Sequence, residues 1–242
     1  MAQDEIVKEP VVPKRQIMHQ HWRDITFVHW RVDAGTVAPL LPRGTTPDVH
    51  DGSSWVGLIP FRMVGAGVTR GPAVPWLGTF AETNVRLYAR DATGRPGVVF
   101  RSLDADRLAV VLGARAVFGL PYMWARMRVE RDAETVTYRS SRLAPGPRGA
   151  GGRLVVRPGA PLAGPEPLAD FLTARWGLHV TIRGRLRFVP NHHEPWPLRR
   201  AELLHLEDTL VAAAGLPGVV ERPPDSVLFS TGVRAVFGPP SG

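Results

Sequence analysis

The 242-residue chain has no cysteine, which excludes disulfides, thiolate nucleophiles, thiolate zinc sites and iron–sulfur ligation together. A metal would have to rest on histidines and carboxylates. Lysine is nearly missing as well: Lys8 and Lys14 are the only two, and the other 28 of the 30 basic residues are arginine. No run of eighteen apolar residues occurs, and residues 1–12, which carry Asp4, Glu5 and Glu9, hold no apolar leader segment. A soluble cytoplasmic protein with no membrane partner is the expectation.

What is present suits a folded core, with 44% hydrophobic and 21% charged residues. The 25 glycines and 24 prolines punctuate the chain too often for a bundle of long helices and fit many strands and turns. The formal net charge of +8 raises nucleic-acid binding as a reading. Arginines spread thinly along the chain, with no clustered phosphate track, argue against it and leave a small-molecule role in front.

Residues 1–16 read as a polar extended arm and 17–240 as a single domain. Strands are expected at 23–32, 54–68, 79–90, 97–103, 122–130, 135–142, 154–157, 178–189 with a break at Gly184, and 227–237, with residues 47–50 pairing to the second of these across the turn at Asp51 and Gly52. Short helices are predicted from an Asp33 cap to Leu41, over 108–118 behind a cap at Asp104 or Asp106, over 167–176 and over 207–214. Residues 144–152, rich in Gly and Pro, are read as a disordered loop. The sum is an α+β domain, mainly antiparallel β with a few short helices.

Alternation sends residues two apart to one face of a strand. After Phe80 it groups Glu82, Asn84, Arg86 and Tyr88 against an apolar face of Thr83, Val85, Leu87 and Ala89; after Pro121 it groups Tyr122, Trp124, Arg126 and Arg128. Two such polar faces lining one cavity would give an acid or base in Glu82, a hydrogen-bond donor in Tyr122 and anchors for a carboxylate in Arg86 or Arg126. Ion pairs such as Glu82 with Arg86 would account for the same residues without chemistry. His19, His21, His29, His192 and His193 form no metal-ligand spacing, so no metal is expected, and it is left open whether His29 or His193 lines the cavity. No nucleophile elbow surrounds a serine and no glycine-rich phosphate loop follows a strand, which removes the serine hydrolase, kinase and dinucleotide readings.

Residues 20–24 (Gln-His-Trp-Arg-Asp), Asp51 and Gly52 with Trp55, Val56, Gly57, Pro60 and Phe61, and residues 80–88, together with 100–104, 115–122 and 193–198, resemble the YqjF-like family of uncharacterised bacterial proteins over roughly residues 16–237. That family is related to the acetoacetate decarboxylase-like superfamily, so the resemblance implies a β-cone or barrel around a central cavity. In decarboxylases of that superfamily a lysine forms a Schiff base with a β-keto acid. The matching position here is Tyr122, followed by Met123, while Glu82 resembles the cavity glutamate. Iminium chemistry needs an amine, which Tyr122 lacks.

The expected function is therefore acid/base chemistry, of lyase or isomerase type, on an oxo or hydroxy carboxylate. Glu82 and Tyr122 are the expected catalytic pair, with Asn84, Arg86, Arg115, Trp124 and Arg126 binding an anionic substrate and with no cofactor. The alternative is a non-catalytic pocket for a small hydrophobic carboxylate. Homo-oligomerisation is left open.

Overall fold

The computed structural model describes residues 12–69 and 71–242. Of the arm expected over 1–16, residues 1–11 lie outside the described residues, and 12–16 carry neither helix nor strand. The strands are β1 (Met18–Val32), β2 (Thr45–Pro47), β3 (Ser54–Val68), β4 (Phe80–Asp91), β5 (Pro96–Ala105), β6 (Tyr122–Arg131), β7 (Val136–Ala144), β8 (Gly151–Pro161), β9 (Gly177–Ile182), β10 (Arg185–His193), β11 (Leu198–Asp208) and β12 (Ser226–Phe237). Four short helices intervene: α1 (Ala34–Val37), α2 (Leu108–Phe118), α3 (Pro167–Thr173) and α4 (Leu210–Ala213).

All twelve strands join one sheet in the order β10-β9-β5-β6-β7-β8-β11-β12-β1-β3-β4-β2, and further pairings of β4 with β5 and of β10 with β12 curl it back on itself. Most neighbours run antiparallel, as expected. β5, however, runs parallel to both β6 and β9, so the sheet is mixed. A parallel partner needs a crossover, and α2 supplies it between β5 and β6. The branch through β9 and β10 keeps the closed ring from being a regular barrel. This is the expected domain of mainly antiparallel strands with a few short helices.

Local chemistry explains the boundaries. Asp33 caps α1 as anticipated, its Oδ1 accepting from the amides of Gly35 at 2.7 Å and Thr36 at 3.2 Å. Gly119 ends α2 in the left-handed conformation at φ 65°, where a Cβ would also lie 2.8 Å from the Thr181 carbonyl oxygen. Neither Asp104 nor Asp106 caps that helix. Its N-cap is Arg107, without a side-chain bond, because Asp104 is committed inside β5 to an ion pair. Residues 144–152 form a tight turn into β8, closed by Arg142 N to Ala150 O at 2.7 Å and Gly149 N to Arg142 O at 2.8 Å. Of the segment expected to pair with β3, His50 bridges Ser53 across the turn at Asp51 and Gly52, whereas Pro47 belongs to β2, which pairs with the end of β4.

β4 is the strand on which the interior is organised, since ten of its residues from Phe80 to Ala89 are buried. Val85, Leu87 and Ala89 enter one apolar cluster with Trp30, Val56 and Phe229. Phe80, on its other face, joins Ile25, Phe61, Met63 and Leu103 in a second. Between β5 and β7 the Arg142 guanidinium binds Asp104 through both oxygens, at 2.8 and 2.7 Å, with both side chains essentially inaccessible. Among the described residues no helix is long and apolar enough to cross a membrane.

A buried ion pair is costly to break from one side, because the remaining charge has lost both water and partner. Arg142→Met should therefore lower unfolding free energy by about 3–5 kcal/mol in urea titrations. The double variant Asp104→Leu/Arg142→Met should be less destabilised than the single one; a double variant worse than the single would show that the pair's charges are not what matters.

Candidate active site

Phe80, Glu82, Asn84 and Arg86 share the inner face of β4 and border a cavity of about 340 Å³. Tyr122 reaches the same cavity from the first residue of β6, which pairs with Leu103 of β5. Its phenol donates to Glu82 Oε2 at 2.9 Å, and both side chains are buried. Burial is the main force on the Glu82 carboxyl and raises its pKa from 4.5 to about 7; hydrogen bonding by Tyr122 and Asn84 opposes the rise, and the nearby Asp104 charge adds to it. The Tyr122 phenol is pushed well above its ordinary value, first by burial and then by the adjacent carboxylate, so it stays protonated and donates.

Two guanidinium groups border this cavity, those of Arg86 and Arg175. The Arg86 Nε donates to the Tyr88 hydroxyl at 3.0 Å and its Nη2 to the Leu172 carbonyl at 2.7 Å. Among the described residues no carboxylate pairs with Arg86, and the anticipated alternative of a Glu82–Arg86 ion pair is not formed. Arg175 also borders the cavity but is already paired, its Nη1 lying 2.5 Å from Asp48 Oδ2. His29 sits behind this group with its Nε2 2.6 Å from the Tyr88 hydroxyl; it does not line the cavity, and burial, then Arg86 and Arg175, hold its pKa far down.

His193 does line the cavity, packed between Trp176 and Trp196 with ring centroids 4.6 and 4.8 Å away. Its Nδ1 lies 2.7 Å from the Glu194 carbonyl, which only accepts, so that nitrogen carries the proton. Burial lowers its pKa to about 4, so the ring is neutral near pH 7 and presents Nε2 as an acceptor. Trp22 and Trp196 stack at 5.5 Å with ring planes 13° apart and form an apolar side wall.

Of the residues expected at the site, Glu82, Asn84, Arg86 and Tyr122 come together. Arg115, Trp124 and Arg126 do not line the cavity. Arg115 lies on the outer side of α2 and donates to the Tyr122 carbonyl at 2.8 Å, holding the start of β6 in place without reaching the interior. Trp124 and Arg126 are lost because alternation fails in β6: a register shift opposite β7 falls between Trp124 and Ala125, the buried residues become Tyr122 and Ala125, and Arg126 emerges into solvent.

Gln20, Arg175 and Asn191 were not placed at the site from sequence. Gln20 and Trp22 did carry a signal, since alternation puts them on one face of β1 with Met18. That face then changes parity at Asp24, whose φ of 48° marks a bulge, so Ile25 continues the cavity wall. Gly232 opposite admits no side chain, as a Cβ there would lie 1.8 Å from the Trp22 carbonyl oxygen. Asn191 shares its face with His193 on β10, whereas Arg175, in the turn from α3 to β9, had no periodic signal. Among the described residues no cluster of three or more His, Asp or Glu is arranged to hold a metal.

The sequence profile of DUF2071, a family described as an uncharacterized conserved protein, matches residues 19–234. The chain belongs to the DUF2071 family. The YqjF protein of Bacillus subtilis, itself uncharacterized, is 35% identical to this DUF2071 protein over 202 residues, 83% of the chain and 82% of its relative. Acetoacetate decarboxylase from Legionella pneumophila superposes with a TM-score of 0.63 at 14% identity, covering 98% of this chain and 88% of the other. The enduracididine biosynthesis enzyme MppR, in its complex with pyruvate, gives 0.62 at 16% identity over 99% and 92%. These structures share the fold of the DUF2071 protein, and enzymes are among them.

A carboxyl whose pKa rises on folding destabilises the native state once the pH passes its unfolded value, and the penalty is complete above the folded one. Glu82→Gln should therefore gain stability over the native protein as pH rises from about 4.5 to about 7, by about 3 kcal/mol across that window. Urea denaturation at pH 5 and pH 8 tests this; an equal difference at the two pH values would mean that Glu82 is not held protonated.

Proposed function

We propose that this protein is an enzyme that moves protons on an oxo or hydroxy carboxylate, of lyase or isomerase type, without covalent lysine catalysis. The observation that carries the reading is the buried Glu82 carboxyl, poised at about 7 and hydrogen-bonded by Tyr122, in a cavity whose unpaired charge is the Arg86 guanidinium. A base titrating near the working pH combines a useful ionised fraction with useful basicity.

In this reading the substrate carboxylate meets Arg86, with Asn84 orienting it. Ionised Glu82 takes a proton from the carbon next to the carbonyl. The electron pair left on carbon shifts to the carbonyl oxygen, where the Tyr122 hydroxyl, released from Glu82, donates to the developing enolate. Return of the proton from Glu82 to carbon, or loss of a leaving group from the adjacent position, completes an isomerisation or a lyase step. Among the described residues no lysine borders the cavity, and Tyr122 stands where the family resemblance puts the Schiff-base lysine, which supports chemistry without an iminium. The complex of MppR with pyruvate makes a 2-oxo acid a reasonable first probe.

A second reading, a binding protein for a small hydrophobic carboxylate, is favoured by the stacked Trp22 and Trp196 wall. Exchange of the methyl protons of pyruvate in deuterated buffer, followed by NMR, separates the two. Exchange should rise with pH through about 7 and fall by about 10²-fold or more in Glu82→Gln. Tyr122→Phe, which removes a donor from the carboxylate, should shift the profile to higher pH. Saturable binding with no exchange above the buffer rate would establish the binding protein instead.

A further inference from the structure

The cavity opens at one end among exposed residues, while its charged and polar lining is buried. At one end stand Val68, 65% exposed, Val74, 38% exposed, and the exposed Ala109. At the other stand Arg86 at 9%, Arg175 at 7%, Asn191 at 8% and Thr173 at 4%. The first group is the mouth and the second the closed end. Along β4 the same order is written in sequence: Phe80, paired with Met63 of β3, lies toward the mouth, then Glu82, Asn84 and finally Arg86. Same-face residues are about 7 Å apart along a strand, so the reactive carboxyl stands well short of the bottom.

Along β4 the buried cation thus lies beyond Glu82 from the mouth, and an apolar stretch lies before it. Met63, Phe80, Val110, Ala114 and Phe118 line the throat between Glu82 and the mouth. At the bottom, Asp48 already answers the charge of Arg175, so the guanidinium of Arg86 is left as the buried cation without a carboxylate partner among the described residues. A desolvated charge of this kind favours an anionic ligand group. A pocket with its charge at the bottom and an apolar throat takes an amphipathic ligand head first.

We infer that the ligand is a carboxylic acid with an extended apolar tail, its carboxylate on Arg86 and its chain along the Met63–Phe80–Val110–Phe118 throat, in place of a short acid such as pyruvate. This rests on the proposed reading for the carboxylate and extends it to the substrate class. Size agrees. At about 30 Å³ for each water-sized volume, 340 Å³ accommodates roughly ten heavy atoms, more than a three-carbon acid fills.

Calorimetric titration of the full chain with straight-chain 2-oxo acids, from pyruvate to 2-oxodecanoate, tests the inference. Affinity should rise about fourfold for each added methylene until the tail reaches the mouth, and then level off. Arg86→Leu should weaken all members by a similar factor. Val110→Trp, which fills the throat, should cut the ratio of affinities for 2-oxooctanoate and pyruvate by about tenfold or more. Affinities that do not grow with chain length, or binding of no member, would overturn the inference. Because binding is read without turnover, a rising series with no proton exchange would leave the tail site standing and remove the acid/base reading; exchange with a flat series would do the reverse.

Discussion

The site depends on one hydrogen bond made where water cannot help, from the Tyr122 phenol to the Glu82 carboxyl. In water a carboxylate and a phenol hardly perturb each other's titration. Within the sheet, desolvation raises both, and the phenol, being much the weaker acid, keeps its proton and donates it to the carboxylate in a hydrogen bond. The result is an acid and a donor held 2.9 Å apart, with the carboxyl free to change protonation state near neutral pH.

Everything around that contact keeps it dry and fixed. β4 is buried on both faces, so the row from Phe80 to Arg86 is backed by Val85, Leu87 and the Trp30 cluster and cannot turn outward. Tyr122 is placed by the parallel pairing of β5 with β6, which the crossover of α2 permits, and by Arg115, which grips its carbonyl from outside. The Asp104–Arg142 pair ties β5 to β7 on the far side. Arg86 is held in turn by the Tyr88 hydroxyl, itself bonded to His29, and by the Leu172 carbonyl. The guanidinium is therefore oriented by neutral acceptors and keeps its charge available to a ligand.

Much of this was readable in the chain. Alternation along β4 grouped Glu82, Asn84 and Arg86 correctly because that strand keeps a regular period through the site. The same rule failed in β6, where the shift at Trp124 and Ala125 breaks the period and turns Arg126 outward. Nor does a single period run through β1, where the left-handed Asp24 moves the cavity face from even to odd positions, a change that sequence pattern alone does not announce. Arg175 and the mouth residues reach the cavity through tertiary packing of a turn and a helix, for which no local periodicity exists. The family resemblance supplied the closed sheet; it did not supply the parallel β5–β6 pairing.

The central claim is that the interior holds Glu82 as a carboxyl in exchange between protonated and ionised forms near neutral pH. A carbon-13 NMR titration of the glutamate side-chain carboxyls, with Glu82 assigned by its loss in Glu82→Gln, measures it directly. The account predicts one resonance with a midpoint of about 7, well apart from the other glutamates. A midpoint at the ordinary value of about 4.5 would contradict it.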